Sequence, residues 1–279
     1  MKEIDMRAFS LIFIMALSVL LIGCSSGSEE KKLESETEPV ESLYNRASEA
    51  LDSGEKREAI RLFEEVERLH PYSKWSNQAQ LMSGYAAYSN QDYDEAVLTL
   101  DRFTQLHPGH LSIDYAYYLK ALCFYEQITD VSRDQEITEL ALSSFDSLLR
   151  RFPESRYARD ATLKRDLTLD HLAGKEMEIG RYYLRRNHVN AAINRFRVVI
   201  KEYQTTTHIA EALHRLVESY LILGLKHEAV RIAAVLGHNY PGSKWYERSY
   251  ELLDDESRQR IIENRGFVDR TVDSLFKAE

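Results

Sequence analysis

The chain has 279 residues, of which 45 are acidic and 36 basic, and its formal net charge is −9. This balance argues against a nucleic-acid partner, which needs a basic stripe to neutralise phosphates, and against electrostatic attachment to anionic lipid. With only two cysteines, Cys24 and Cys123, the sequence also excludes a framework of several disulfides.

Residues 1–23 have the pattern of a secretion signal peptide, because two basic residues precede an apolar stretch from Ala8 to Ile22. This stretch is shorter than the roughly 20 residues that a membrane-spanning helix needs. The tetrapeptide Leu21-Ile22-Gly23-Cys24 resembles the bacterial lipobox, in which the cysteine thiol receives the lipid; the alternative is an ordinary buried cysteine. We predict lipidation of Cys24, and by resemblance to this class Ser25 implies sorting to the outer membrane.

The mature chain is predicted to begin with a tether and to continue as helices. Residues 24–39 are rich in Ser, Glu and Lys, which predicts an acidic flexible tether. Between residues 40 and 265 the apolar residues recur at spacings of three and four, which predicts an all-α domain. The last residues, 266–279, are predicted to be a frayed tail.

An internal repeat runs through the helical part. Four prolines each follow an alanine by twelve residues and a Phe, Leu or Ala by eight. The prolines are Pro71, Pro108, Pro153 and Pro241; the alanines are Ala59, Ala96, Ala141 and Ala229; the residues four positions after them are Phe63, Leu100, Phe145 and Ala233. A fifth unit has Ala192 and Phe196, with Gln204 in place of the proline.

The spacing of these units indicates the architecture. Ala59 and Ala96 are 37 residues apart, which resembles the tetratricopeptide repeat, a 34-residue helical pair. We therefore predict a right-handed α-solenoid of about five tetratricopeptide-like helix pairs, closed by a C-terminal helix from Ser243 to about Asn264. Two longer units are explained by a loop around Thr129 to Asp134 and by one long helix between Tyr157 and Arg186, with Gly174 as the weak point of that helix.

The sequence contains no arrangement typical of a catalyst. Motifs for a nucleophile with its base, a phosphate loop or a metal-binding helix do not occur. Glu67-x-x-His70 and Glu211-x-x-His214 have the spacing of di-iron ligands in helix bundles, but they fall in the first and fifth units of a linear array. Three further candidates are interpreted as packing residues: His107, His110 and Cys123. We expect no catalytic residue, no metal and no cofactor.

Tyrosine is the more informative residue type, since 17 tyrosines exceed what core filling requires in an acidic helical chain. A cluster falls in the second and third units: Tyr85, Tyr88, Tyr93, Tyr115, Tyr117, Tyr118 and Tyr125. First helices of stacked repeats can line a concave face, where such rings would hold an extended peptide. The alternative is that most of these rings face the core and expose only the hydroxyl group.

The run from Asp101 to Leu122 carries the most specific resemblance. It contains Asp101-Arg102-Phe103, the Pro108-x-His110 turn and Asp114-Tyr115-x-x-Tyr118. Together with the lipobox and the five helical pairs, it resembles the BamD family, whose members are lipoproteins of the machine that folds β-barrels into the outer membrane of Gram-negative bacteria. The sequence PYSKW at 71–75 and the run from Ala191 to Phe196 agree with this resemblance.

The resemblance implies a non-enzymatic scaffold, anchored in the outer membrane by lipid and facing the periplasm. Units one to three would bind the C-terminal targeting strand of unfolded barrel precursors, and the candidate residues are Tyr85, Tyr88, Arg102, Tyr115 and Tyr118. Units four and five would dock a BamA-type barrel protein, with Arg195 as the candidate, beside other lipoproteins of the assembly complex. For Arg195 the alternative is a solvated helix charge.

Two other classes of function are alternatives to this interpretation. A different periplasmic repeat lipoprotein, acting as a cell-envelope or division adaptor, would share the anchor and the repeats but not the signature from Asp101 to Leu122. An enzyme with an unrecognised site is the second alternative, and a hydrolase screen on the mature chain would detect it.

The lipid anchor gives a direct prediction. Changing Cys24→Ser removes the thiol that receives the lipid, so the variant should leave the outer-membrane fraction when cell envelopes are separated. Continued fractionation of the variant with outer membranes would show that the anchor assignment is wrong.

Overall fold

The computed structural model describes residues 38–263 and Phe276. The predicted signal peptide, Cys24 and nearly all of the predicted tether and tail therefore lie outside the described residues. The described part is helical, with twelve helices: α1 Val40–Asp52, α2 Lys56–Leu69, α3 Lys74–Ser89, α4 Tyr93–Leu106, α5 Ile113–Tyr125, α6 Glu136–Arg151, α7 Ala158–Arg185, α8 Val189–Glu202, α9 Ile209–Ile222, α10 Lys226–Asn239, α11 Lys244–Glu251 and α12 Asp255–Glu263. None of these helices is both long and apolar enough to cross a membrane.

The helices form five successive pairs, α1/α2 to α9/α10. Each helix packs against the next one in sequence, and the first helices of neighbouring pairs also touch, as α1 touches α3 and α5 touches α7. Short connections between packed helices make consecutive helices antiparallel. This confirms the predicted helical repeat solenoid, in which each unit contacts only its neighbours.

The predicted repeat positions are the core of each pair. The five alanines are completely buried, and the residue four positions later, a Phe or Leu in the first four pairs and Ala233 in the last, is buried with them on the same helix face. In the second and fourth pairs a glycine of the first helix faces that large residue. A Cβ atom on Gly84 would lie 2.9 Å from Leu100 Cδ2, and one on Gly180 would lie 2.4 Å from Phe196 Cε1. The absence of a side chain at these glycines allows the two helices of the pair to approach closely.

The buried residues divide into two clusters. The N-terminal core extends from Leu43 to Ala161 and includes the first three pairs. The C-terminal core extends from Ala173 to Leu253 and includes the last two pairs and the C-terminal helices. Helix α7, which runs without a break over 28 residues, contributes to both cores. The structure thus confirms the predicted long helix.

Gly174 is not a weak point of α7. It is buried, and a Cβ atom there would lie 3.3 Å from His208 Nε2 and 3.4 Å from Val131 Cγ1. Val131 belongs to the predicted loop of the third unit, which the structure confirms as a non-helical connection between Tyr125 and Glu136. The loop is held on α7 by Lys175 Nζ, which donates to Ser132 O at 2.8 Å.

The predicted C-terminal helix is in fact two helices, α11 and α12. The break follows Glu251, where Leu253 is buried and the side chain of Asp254 accepts a hydrogen bond from Ser257 N at 2.9 Å. This Asp254 side chain caps the new helix and so stabilises the break. Phe276 packs against the same C-terminal core.

Three connections between units share one sequence, Pro-x-Ser-basic-aromatic: PYSKW at 71–75, PESRY at 153–157 and PGSKW at 241–245. In each the serine Oγ accepts a hydrogen bond from the backbone N–H of the aromatic residue, at 3.1 or 3.2 Å. The basic side chain lies over the aromatic ring in all three. The serine is the N-cap of α3 and of α11, whereas α7 follows Tyr157 without a side-chain cap. In all three turns the basic side chain holds the aromatic ring.

The close approach of α7 and α8 predicts the effect of Gly180→Ala. The new methyl group would overlap the buried ring of Phe196, so the free energy of unfolding should fall by about 1–2 kcal/mol despite the better helix propensity of alanine. Urea denaturation followed by circular dichroism measures this change. Gly109→Ala is the control, because no atom lies within 4 Å of its Cβ position, and equal stability of both variants would contradict the packing argument.

Candidate functional site

The structure brings four of the predicted tyrosines together. Tyr85 and Tyr88 come from α3, while Tyr115 and Tyr118 come from α5, and all four are partly buried against the N-terminal core. Burial raises the pKa of the Tyr115 hydroxyl well above its ordinary value, and the neighbouring hydroxyls of Tyr85 and Tyr88 raise it further. These rings therefore form one surface on the first helices of units two and three.

A fifth ring, Tyr157, completes this surface and was missed by the sequence interpretation. It stacks on Tyr118 with centroids 4.7 Å apart and ring planes at 13°, and it lies 5.3 Å from the ring of Tyr115. Tyr157 starts the next unit and is the aromatic residue of PESRY. A comparison of PESRY with PYSKW could have identified Tyr157 from the sequence. We call Tyr85, Tyr88, Tyr115, Tyr118 and Tyr157 the tyrosine surface.

The polar tip of Tyr118 is already used within the protein. Its hydroxyl donates to Asp160 Oδ2 at 2.6 Å, and Lys164 Nζ donates to the same carboxylate oxygen at 2.6 Å. Burial is the main reason why the pKa of Tyr118 lies well above its ordinary value, and the Asp160 carboxylate adds to the effect. Tyr118 thus remains a neutral donor that links unit three to unit four.

This Tyr118–Tyr157 contact has equivalents elsewhere in the chain. Tyr44 of α1 packs on Trp75 at 4.8 Å, and His214 of α9 packs on Trp245 at 5.2 Å. In each case the ring that starts one unit packs on a ring from the first helix of the preceding unit. We call these contacts the inter-unit joints, and their recurrence shows that Tyr118 and Tyr157 have a structural role.

Arg102 does not lie with the tyrosines. It is on α4, a second helix, where its Nη2 is 2.9 Å from Glu67 Oε2 of α2, and its side chain is half exposed. Its neighbour in the signature, Phe103, is completely buried and touches the rings of His107 and His110, with centroids 5.3 and 5.1 Å away. Both histidines are thus packing residues of the turn, as predicted.

Other residues of the signature also connect elements. Asp101 on α4 forms an ion pair with Lys120 on α5. Asp114 on α5 accepts a hydrogen bond from Ser155 Oγ at 2.7 Å, which ties unit three to the PESRY turn. Much of the signature from Asp101 to Leu122 therefore holds units two, three and four together.

The partner-docking candidate Arg195 lies in the fourth pair. Its Nη1 is 3.0 Å from Glu176 Oε2, so the contact joins α8 to α7, and 41% of the arginine side chain is exposed. A separate feature of the C-terminal half is a groove of about 590 Å³ between α7, α9 and α11. We call it the C-terminal groove; its lining combines apolar and charged side chains, namely Leu184, Leu221, Ile222, Leu252, Arg181, Arg185, Arg215 and Glu218.

The remaining residues with reactive or metal-binding side chains, Cys123 and His214, are packed inside the protein. Cys123 is completely buried, and burial raises the pKa of its thiol to about 12. His214 is buried with its Nδ1 2.8 Å from Ser249 Oγ and its Nε2 3.4 Å from Glu218 Oε1. Across residues 38–263, no group of three or more His, Cys, Asp or Glu side chains is placed to hold a metal ion.

Comparison with known proteins agrees with this architecture. The family model described as "YfiO: Outer membrane lipoprotein" matches residues 36–236. The outer membrane protein assembly factor BamD of Caulobacter vibrioides is 48% identical over 252 residues, which cover 90% of this chain and 83% of that protein. The BamD of Rickettsia prowazekii is 45% identical and covers 86% of this chain and 94% of its own length. That of Vibrio cholerae is 34% identical, with 79% and 93% covered.

Among solved structures, the tetratricopeptide domain of P58(IPK) aligns with a TM-score of 0.40 and 15% identity, covering 85% of this chain and 64% of that one, slightly less than two thirds of its length. The relatives named above are assembly factors, a non-enzymatic class, so neither the enzyme alternative nor the division-adaptor alternative gains support from them. The family match spans most of the chain and includes the N-terminal core and the C-terminal core as far as Leu236. The chain belongs to the YfiO family of outer membrane lipoproteins, the family of the BamD assembly factors.

Proposed function

We propose that this chain is a scaffold of outer-membrane β-barrel assembly, lipid-anchored through Cys24 and facing the periplasm. Its N-terminal core binds unfolded barrel precursors, and its C-terminal core docks a BamA-type barrel protein beside other lipoproteins of the complex. The observation that carries the proposal is the convergence of Tyr85, Tyr88 and Tyr115 on one surface, because their partly buried rings offer a fixed aromatic wall. The assembly-factor names of relatives up to 48% identical support it.

The chemistry of the tyrosine surface suits an extended segment that ends in an aromatic residue. Ring faces and edges attract another aromatic side chain at centroid distances of about 4.5–7 Å. Because Tyr118 and Tyr157 stack on each other, we assign contact with the bound aromatic residue to Tyr85, Tyr88 and Tyr115. The rings are held by helices rather than by loops, so little ordering is required when the segment binds.

A positively charged side chain, Arg156, lies beside the tyrosine surface. Arg156 is exposed, its guanidinium lies 4.7 Å from the Tyr157 ring, and it donates a hydrogen bond to the Tyr157 hydroxyl. An exposed arginine held beside a ring in this way can pair with the terminal carboxylate of a bound chain. The surface therefore offers recognition of both the last side chain and the chain terminus.

The division of the molecule into two cores supports separate tasks for its two halves. The C-terminal groove combines an apolar floor with three arginines and includes the exposed side chains of Ile222 and Leu252. Arg195 lies on α8, outside the lining of that groove, and keeps an exposed part beyond its contact with Glu176. Arg181 and Arg215 form ion pairs with Glu211, and Arg215 also pairs with Glu218. The apolar part of the groove is therefore the feature that supports docking of a folded partner domain.

Photo-crosslinking tests the assignment of the two halves. Photoreactive residues in place of Tyr85 or Tyr88 should capture a peptide with the sequence of a barrel C-terminal strand, because they lie on the tyrosine surface. A probe at Leu98, which is 73% exposed on α4, is the matched control and should capture no peptide. A probe at Arg195 should capture the periplasmic part of the barrel partner, and peptide capture only at Ile222 would reverse the assignment.

The role of Arg156 can be measured separately by peptide affinity. Arg156→Gln removes a charge-assisted contact worth roughly 1.5–3 kcal/mol, so affinity for a peptide with a free C-terminal carboxylate should fall by about tenfold or more. Fluorescence anisotropy measures the affinity, and the same peptide with an amidated C-terminus is the control. If the substitution weakens both peptides equally, Arg156 does not recognise the carboxylate.

A further inference from the structure

The antiparallel helix pairs place every connection between units on one edge of the solenoid. The start of α1 lies on this edge too, because α1 runs away from it and α2 runs back. A direct contact agrees with this topology, since His70 Nε2 donates to the carbonyl oxygen of Glu38 at 3.2 Å. We call the edge formed by Glu38 and the turns at 70–73 and 107–112 the tether edge.

Two large apolar or aromatic side chains are fully exposed on the tether edge. Tyr72 is the variable residue of PYSKW, and Leu111 lies in the next turn along; both have essentially their whole side chain in solvent. Leu106, at the end of α4, is also exposed. On the opposite edge the connections of the first two units, 53–55 and 90–92, contain no large hydrophobic residue. Exposed leucines occur in the connections of that edge only at the far end of the solenoid from Glu38, at Leu223 and Leu225 among the described residues.

Charge distinguishes the same two edges. On the tether edge, segments 38–42, 69–75, 106–112 and 150–157 contain four Lys or Arg and three Asp or Glu. On the opposite edge, segments 52–57, 90–95 and 126–136 contain three Lys or Arg and nine Asp or Glu. An anionic lipid surface repels the second edge and tolerates the first.

Covalent geometry brings the tether edge within reach of a membrane. Glu38 follows Cys24 by fourteen positions, and a segment of that length spans at most about 50 Å whatever its conformation. With acyl chains on Cys24 in the bilayer, the chain reaches the edge that carries Glu38 before it reaches any other described part. The distance between this edge and the lipid surface is therefore the most tightly limited. Tyrosine at such a surface places its ring at the headgroup level and its hydroxyl in water.

We propose that the tether edge lies against the lipid surface and that Tyr72 and Leu111 insert into its interfacial layer. This inference rests on the proposed lipidation of Cys24. Such contact fixes the orientation of the solenoid, so that the tyrosine surface, whose Tyr157 follows the next turn of the same edge, is held beside the bilayer.

Depth measurement on the acylated mature chain tests the proposal. Single spin labels are placed at Tyr72→Cys or Leu111→Cys, with controls at Glu55→Cys on the opposite edge and at the exposed Leu98→Cys. The completely buried Cys123 has a raised thiol pKa and stays unlabelled. The protein is bound to vesicles of phosphatidylethanolamine and phosphatidylglycerol, and collision of each label with oxygen and with a water-soluble nickel reagent is compared.

Labels at 72 and 111 should collide more with oxygen than with the nickel reagent, and labels at 55 and 98 should show the reverse. Flotation of the vesicles distinguishes a failure of the lipid anchor from a failure of the membrane-facing edge. A chain that does not float has lost the anchor, which contradicts the proposed lipidation. A chain that floats while all four labels remain in water keeps its anchor and overturns the membrane-facing edge.

Discussion

The inter-unit joint is the contact on which the shape of this molecule depends. A solenoid has no contacts between distant units, so its geometry is the sum of what each unit fixes in the next. At three connections a serine accepts a hydrogen bond from the backbone N–H of an aromatic residue, and the ring of that residue packs on a ring of the preceding unit, as Trp75 does on Tyr44. Such a ring pair adds about 0.5–1.5 kcal/mol beyond its burial and allows only a narrow range of angles between units.

The joint between units three and four is also part of the candidate binding surface. Tyr118 and Tyr157 hold each other, and Tyr118 additionally binds Asp160 on α7. Helix α7 then continues into the C-terminal core, where Gly180 receives the ring of Phe196. Under the proposed function, a peptide on the tyrosine surface would lie beside Tyr118 and Tyr157, the residues that join the N-terminal core to α7.

Local sequence patterns predicted the helices and their core faces well, because burial follows the helical period. Ala59 and Phe63, four residues apart, occupy one face as expected. Arg102 was a candidate from the family resemblance, and it lies apart from the tyrosines: adjacent residues on a helix point about 100° apart, so Phe103 is buried while Arg102 faces Glu67. Residues that lie close together in the sequence signature therefore do not all belong to one site.

Features that depend on distant residues were harder to predict. Tyr157 meets Tyr118 across 39 positions, and the insertion in the third unit hides the regular spacing of the Pro-x-Ser-basic-aromatic motif. The break between α11 and α12 depends on the Asp254 side chain and the buried Leu253, which leave the apolar periodicity intact. Sequence periodicity reports which face is buried, but it does not report where a side chain ends a helix or which unit supplies the next ring.

The joint motif also explains which residues are available for other tasks. Its serine, basic and aromatic positions are constrained by capping and ring contacts, whereas the residue after the proline projects outward and contributes nothing to the joint. Glu154 and Gly242 at this position are ordinary exposed turn residues. Tyr72 is different, because a fully exposed aromatic ring adds apolar surface without stabilising the fold. If Cys24 is lipidated as proposed, a ring of this kind on the edge that carries Glu38 is explained by contact with the lipid interface.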